Sequence, residues 1–323
     1  MRKVLFLRKK VKGENSMEEL AYNLVREMKD IELLVLPGYN TKLLGMIQNI
    51  IFAIKHQGEI NHIFSISDAY IAPFLKGKVI VTCHDMNTLN SYRIYGRIIA
   101  WLFWVYIPSL FWDICTCISN EVKTELIKKV PWRKKTIKVI YNFYNPDICF
   151  SPNIRKNQVP HILHIGTAKR KNLTNVIKAL KNIDCKLIIV GKMFPEQEKA
   201  LQECQTKYEN YIDISFDEII GYYKRSDIVS FPSSYEGFGV PLIEANAVGR
   251  AVVAGDIPVL REVGNDAAIY VNPHNLCELR EAFISLLENE SLKQSLVSKG
   301  LINAKRFNIK RVAKQYSQLY ESK

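Results

Sequence analysis

The sequence predicts an α/β protein made of two doubly wound domains facing across a cleft. Three observations predict it. Short apolar runs alternate with helical stretches, the pattern of a parallel sheet covered on both faces. The alternation halts at a turn-rich segment, Tyr141-Asn-Phe-Tyr-Asn-Pro-Asp-Ile-Cys-Phe-Ser-Pro152, and then restarts. The chain has 323 residues, enough for two domains of ordinary size.

In the first half, Val4–Leu7, Glu32–Leu36, His62–Ser65, Val79–Thr82, Ile114–Ile118 and Ile137–Ile140 read as strands, each a short apolar run bounded by polar residues. Ser16–Met28, Thr41–His56, Arg93–Trp112 and Asn120–Lys129 read as the helices between them, with Ser119 as an N-cap. In the second half the strands are His161–Ile165, Lys186–Val190, Tyr211–Ile214, Asp227–Phe231, Ala251–Ala254 and Ala268–Val271. Helices fall at Leu173–Lys181, Glu196–Lys207, Asp217–Lys224, Leu242–Val248 and Leu276–Asn289, and the tail Ser291–Tyr320 is helical with a break near Asn308. The expected domains are 1–145 and 153–307. Ligands in such sheets bind at the carboxyl ends of the strands.

Hydrophobic residues make up 48% of the chain and charged ones 24%, so both halves can bury a core. The seven cysteines are scattered and none forms a Cys-x-x-Cys, which favours buried thiols and a reducing cytoplasm over a zinc site. Met1-Arg-Lys runs directly into a four-residue apolar strand, so no secretory leader is expected. The formal charge is +13, and residues 1–150 carry 21 Lys/Arg against 13 Asp/Glu. Lys123, Lys128, Lys129, Arg133, Lys134, Lys135 and Lys138 cluster around Trp132, a pattern suited to an anionic membrane surface or to a solvated basic face. No nucleic-acid recognition module accompanies the charge, so no nucleic-acid partner is expected. Ile98–Trp112 is strongly apolar and aromatic but too short to span a bilayer, and it contains Pro108. It reads as a packed helix or one lying in the membrane interface beside Arg93 and Arg97.

The chemistry concentrates in Asp227-Ile-Val-Ser-Phe-Pro-Ser-Ser-Tyr-Glu-Gly-Phe-Gly-Val-Pro-Leu-Ile-Glu244. A strand, a glycine loop and a helix start follow one another, with Pro241 suited to the first helical position. The backbone N–H groups of Gly237, Phe238 and Gly239 and the helix N-terminus suit an anion. Glu236 and Glu244 add carboxylates where a phosphate alone would be repelled. The combination suits a ligand carrying both phosphate and hydroxyls, a nucleotide sugar.

This string, with Ala245-Asn-Ala-Val-Gly-Arg-Ala-Val-Val-Ala254 and Arg261-Glu262-Val263 after it, resembles the retaining glycosyltransferases of family 4, which have the GT-B fold of two Rossmann-like domains. The resemblance is good from about His161 to Pro273 and looser before that. It implies that Glu244 accepts ribose hydroxyls and that Glu236 contacts the transferred sugar. Gly166-Thr-Ala-Lys-Arg-Lys-Asn-Leu173 resembles the family's glycine-then-basic motif, which implies a turn at Gly166 and Thr167 with Arg170 and Lys171 on the diphosphate. Val81-Thr-Cys-His84-Asp85 resembles its His-Asp pair, with His84 reaching the donor sugar, and Lys192 is a further candidate for the diphosphate. The resemblance also implies that the final helix, 308–323, crosses back onto the first domain. One departure stands out. Paired glycines are absent after the first strand, where only Gly13 is available beside Arg8, Lys9, Lys10 and Lys12. That basic loop suits an acidic acceptor such as a lipid-linked diphosphate sugar.

The expected protein is therefore a cytoplasmic glycosyltransferase, peripheral on the inner face of the cell membrane. It would use a UDP- or GDP-linked sugar as donor, a glycan or lipid-linked acceptor, no cofactor, and no metal, because no Asp-x-Asp motif is present. The alternatives are a nucleotide-sugar epimerase of the same fold and a binding protein that has lost transfer. A phosphorylase is disfavoured by chain length.

Overall fold

The computed structural model describes residues 1–10, 16–86, 94–152 and 159–322. Lys12, Gly13, Arg93 and the Arg97 side chain lie outside the described residues. The chain divides into two compact units, residues 1–145 with 309–323, and residues 146–308. Each holds one six-stranded parallel sheet.

In the first unit the strands are β1 (Lys3–Leu7), β2 (Glu32–Val35), β3 (Ile60–Ile63), β4 (Lys78–Cys83), β5 (Ile114–Cys117) and β6 (Ile137–Val139). Their order is β2-β1-β3-β4-β5-β6. The connection from β1 to β2 steps one way across the sheet, and all later ones step the other way. Right-handed crossovers therefore place Ser16–Met28 on one face and Leu43–His56, Ile66–Phe74, the helical run from Ile94 to Ser109, and Asn120–Lys129 on the other. The helix Ile309–Glu321 packs beside Ser16–Met28 and buries Val312, Tyr316, Leu319 and Tyr320 in the same core as Leu5, Leu7 and Ile80. It is pinned there by polar contacts: the Tyr320 hydroxyl lies 2.7 Å from His62 Nδ1, and Lys78 Nζ donates to the Leu319 carbonyl at 2.7 Å. The lysine satisfies carbonyls at the helix C-terminus, where a cation is favoured.

Two expectations shift here. The third strand begins at Ile60, not His62. Asn61, a turn former by type, is fully buried and spends its amide on Gly58 and on the Lys76 carbonyl. The run expected as one helix from Arg93 to Trp112 is α-helical over Ile94–Trp101, widens to a π-helix over Leu102–Tyr106, and resumes over Ile107–Ser109.

In the second unit the strands are β7 (His161–Ile165), β8 (Lys186–Val190), β9 (Lys207–Tyr211), β10 (Ile228–Phe231), β11 (Ala251–Gly255) and β12 (Ile269–Val271), ordered β12-β11-β10-β7-β8-β9. The strand expected at Tyr211–Ile214 ends where it was expected to begin. As the edge strand it is only half-buried, so its sequence, Lys-Tyr-Glu-Asn-Tyr, lacks an apolar run. β7 lies between β10 and β8, so the loops that follow β7 and β10 emerge side by side at the carboxyl edge.

Candidate functional site

The two loops that carry the sequence motifs meet at the carboxyl ends of β7 and β10. After β7 the chain turns at Gly166, whose φ of +92° is a conformation that side chains disfavour. Its N–H is held by the Val190 carbonyl at 2.8 Å. Thr167 is buried and donates its hydroxyl to the Lys192 carbonyl at 2.5 Å, while its own carbonyl accepts from Gln197. Lys169–Lys171 form a single 3₁₀ turn that stops at Asn172, left-handed at φ 67° and anchored by its amide to the Pro273 carbonyl at 2.6 Å. This anchored turn aims the basic residues.

After β10, Ser234 N–H donates to the Arg170 carbonyl at 2.9 Å, tying one loop to the other. The side chains then converge. Lys171 Nζ lies 2.6 Å from Glu236 Oε1, and Arg170 Nη1 lies 3.3 Å from Glu236 Oε2. Lys171 also sits 4.6 Å from the Phe231 ring centroid, a cation–π contact. Burial pulls its pKa below the usual lysine value, and the Glu236 carboxylate opposes that pull. His164, buried in β7, is pushed down to about 3 by burial and then by the Lys171 charge, so it is a neutral imidazole.

The helix Val240–Val248 begins two residues before the expected Leu242, with Gly239 as its cap at φ +110°. A Cβ there would meet Leu260 Cδ2 at 2.6 Å and push that side chain aside, on top of a backbone conformation that favours glycine. Phe238 is a core residue, its ring edge-on to Phe307 at 5.6 Å. Glu244 lies one turn into the helix and is buried. Tyr223 donates its hydroxyl to Glu244 Oε2 at 2.9 Å. That oxygen of the carboxylate is therefore bonded within the protein.

Tyr223 carried no sequence signal. It ends an amphipathic helix, Phe216–Arg225, and only the fold brings it to Glu244. Arg250 is a second unpredicted part of the frame. Fully buried, it donates to the carbonyls of Tyr223, Lys224, Gly249 and Ser151, and so fastens the end of the Tyr223 helix to the end of the Glu244 helix.

The remaining candidates are placed differently. Lys192 is exposed, and its carbonyl accepts the Thr167 hydroxyl. A concavity of about 570 Å³ opens beside the basic turn, bordered by Arg170, Asn172, Asn175, Gln197, Ser234 and His274. His84 belongs to the first unit and ends β4. Its Nε2 donates to the Phe64 carbonyl at 3.0 Å, which leaves Nδ1 as an acceptor, and burial lowers its pKa to about 4. In the first-strand loop, Arg8 pairs with Glu18 at 3.1 Å and Lys9 donates to the Pro37 carbonyl at 2.8 Å. Two of the four basic residues expected to attract an acidic acceptor are therefore engaged within the loop's own surroundings.

The model of the glycosyl transferases group 1 family matches residues 150–301. An uncharacterized glycosyltransferase of Methanocaldococcus jannaschii is 25% identical over 93% of this chain and 92% of its own length. The O-antigen chain mannosyltransferase RfbU of Salmonella typhimurium is 33% identical, over 48% of this chain and 46% of its own. Among solved structures, sucrose-phosphate synthase of Thermosynechococcus elongatus superposes with a TM-score of 0.82 at 16% identity, covering 99% of this chain and 98% of that one. Anabaena HepE in complex with UDP-glucose superposes with a TM-score of 0.81 at 16% identity, covering 99% of each. The fold is GT-B, and the sequence matches support a glycosyltransferase.

Proposed function

We propose that the protein is a retaining glycosyltransferase of the family 4 type, moving a sugar from a nucleotide diphosphate donor to a glycan or lipid-linked acceptor. The observation that carries this reading is the convergence of Arg170, Lys171 and Glu236 at the adjoining ends of β7 and β10. A diphosphate entering there meets two cations on an anchored turn, and a sugar attached to it meets a carboxylate. The solved likeness to a protein in complex with UDP-glucose supports a nucleotide-sugar donor. Relatives named as O-antigen chain and phosphatidyl-myo-inositol mannosyltransferases support a glycan or lipid acceptor.

In the proposed reaction the bond between the anomeric carbon and the diphosphate oxygen breaks. The nucleoside diphosphate leaves, and the acceptor hydroxyl oxygen bonds to the same face of the carbon. The acceptor's proton passes to the departing phosphate oxygen. Lys171 and Arg170 stabilise the negative charge that grows on the leaving group, an effect strongest where water is excluded. Glu236 orients the sugar, and Glu244 accepts hydrogen bonds from the ribose hydroxyls. The charge supplied by the two basic residues makes the transfer metal-independent in this reading.

The test is a transfer assay with UDP-, GDP- and ADP-sugars against a lipid extract and free glycans, with the product's anomeric configuration read by NMR. An inverted product would sink the retaining assignment. Conversion of the donor sugar without any acceptor would assign an epimerase instead.

A further inference from the structure

One layer of the first unit is built inside out. A helix on a protein surface ordinarily turns its apolar stripe inward. Leu43–His56 buries Gly45, Asn49 and Ala53, one small or polar residue per turn. Its outer stripe is Leu43, Leu44, Ile47, Ile51 and Ile54, between 44% and 76% exposed. The orientation is pinned. Asn49 accepts from the Gly38 N–H at 2.7 Å and donates to the Gly38 carbonyl at 3.0 Å and the Tyr70 hydroxyl at 2.8 Å. Rolling the helix to hide its leucines would break all three bonds.

The same layer continues. Leu43–His56 packs against Ile66–Phe74, and so does the later part of the helical run from Ile94 to Ser109. Along this run and just beyond it, Ile98, Ile99, Phe103, Leu110 and Phe111 are each about half exposed. No Asp or Glu occurs in residues 43–56 or 94–112. Next in the layer comes Trp132, half exposed and edge-on to Tyr106 at 5.3 Å, with Lys128, Lys129, Lys134 and Lys135 exposed around it. Contiguous apolar surface of this extent marks an interaction site.

We propose that this layer docks on an anionic lipid bilayer. The isoleucine and leucine stripe would enter the acyl boundary, Trp132 and Tyr106 would sit at headgroup level, and the four lysines would meet lipid phosphates. Charge decides the occupant. An acid-free apolar face bordered by exposed lysines and an interfacial Trp is complementary to a negatively charged bilayer, whereas two copies of it would bring their lysines together. Among the described residues no helix is long and apolar enough to cross a membrane, so the contact is with the surface. The inference does not depend on the transfer chemistry.

The test is co-sedimentation of the full chain with vesicles of phosphatidylcholine alone and of phosphatidylcholine with phosphatidylglycerol. Binding is expected to the anionic vesicles and to weaken with added salt, because exposed charges are screened. The double variants Ile47→Asp/Ile51→Asp and Lys134→Glu/Lys135→Glu should each reduce it at least roughly tenfold, with thermal unfolding unchanged. The lysine pair lies at the surface and carries the test should the isoleucine variant fold poorly. Equal binding to neutral vesicles, or binding indifferent to both variants, overturns the proposal. Self-association abolished by Ile47→Asp/Ile51→Asp in sedimentation velocity, with no vesicle binding, would make the face a contact between copies and also overturn it.

Discussion

Lys171 Nζ sits 2.6 Å from Glu236 Oε1, with only 14% of the lysine and 9% of the glutamate side chain exposed. In the ligand-free protein each is therefore the other's counter-charge. A pair this enclosed is costly to break by removing one partner, because the remaining charge stays buried. A diphosphate can take over the neutralisation of Lys171 and release Glu236 to the sugar. In the proposed reading the site exchanges one anion for another rather than exposing bare charge.

Glu236→Gln tests that exchange. Transfer should fall at least roughly a hundredfold, the scale seen when a group aimed at the reacting centre is lost. Nucleoside diphosphate should still bind, because its competitor for Lys171 has gone. Turnover numbers and calorimetric titrations together check it. Turnover equal to the parent, or loss of nucleotide binding alone, would contradict the assignment.

The two basic residues should not be equal. Lys171 is enclosed, while 43% of the Arg170 side chain is exposed and its contact with Glu236 is longer, at 3.3 Å. Lys171→Ala should reduce kcat/KM by about 3 kcal/mol, and Arg170→Ala by less, because solvent screens an exposed charge. The reverse order in steady-state kinetics would place the diphosphate elsewhere.

Tyr223→Phe removes one hydroxyl from the Glu244 carboxylate. A hydrogen bond to a charged group contributes about 1.5–3 kcal/mol, so donor KM should rise on the order of tenfold with kcat at saturation little changed. Discrimination between ribose and 2′-deoxyribose nucleotides should shrink in the same variant. A fall in kcat with unchanged KM would show that Glu244 acts at the chemical step.

Acid should loosen the first unit. Burial holds His62 down to about 3, and His84 is held to about 4. Between those values and their ordinary 6.5 the folded protein binds fewer protons than the unfolded chain. The stability is complete above pH 6.5 and is lost as pH falls toward 4 and 3. At pH 5 the His62 contribution amounts to a loss of about 2 kcal/mol. Asp68, raised to about 6 by burial, works in the opposite direction, since it binds a proton more readily folded than unfolded between 3.8 and 6. It returns about 1 kcal/mol of that loss. Thermal unfolding at pH 7 and pH 5 should show a lower midpoint at pH 5, and an unchanged midpoint would contradict the neutral burial of His62.

Much of this was legible because it is local. Ser16–Met28 and Asn120–Lys129 lie where apolar periodicity places them, and His161–Ile165 and Lys186–Val190 lie where short apolar runs place inner strands. The break in the tail near Asn308 appears as a short turn between Glu290–Ala304 and Ile309–Glu321. What sequence could not convey is which partner a face meets. β9 was displaced because an edge strand needs no apolar run, and Ile212 and Ile214, which suggested one, lie beyond its end. The basic turn and the glutamate loop were each visible as motifs. That Lys171 and Glu236 neutralise each other, that Tyr223 donates to Glu244, and that the apolar stripe of Leu43–His56 faces outward all depend on contacts between distant segments.

The central claim is that the loops after β7 and β10 hold a nucleoside diphosphate. The direct measurement is a calorimetric titration of the parent protein and Lys171→Ala with UDP, GDP and ADP. The account predicts saturable binding of at least one of the three to the parent and at least roughly tenfold weaker binding to the variant. Absence of binding by all three, or equal affinity in both proteins, would contradict it.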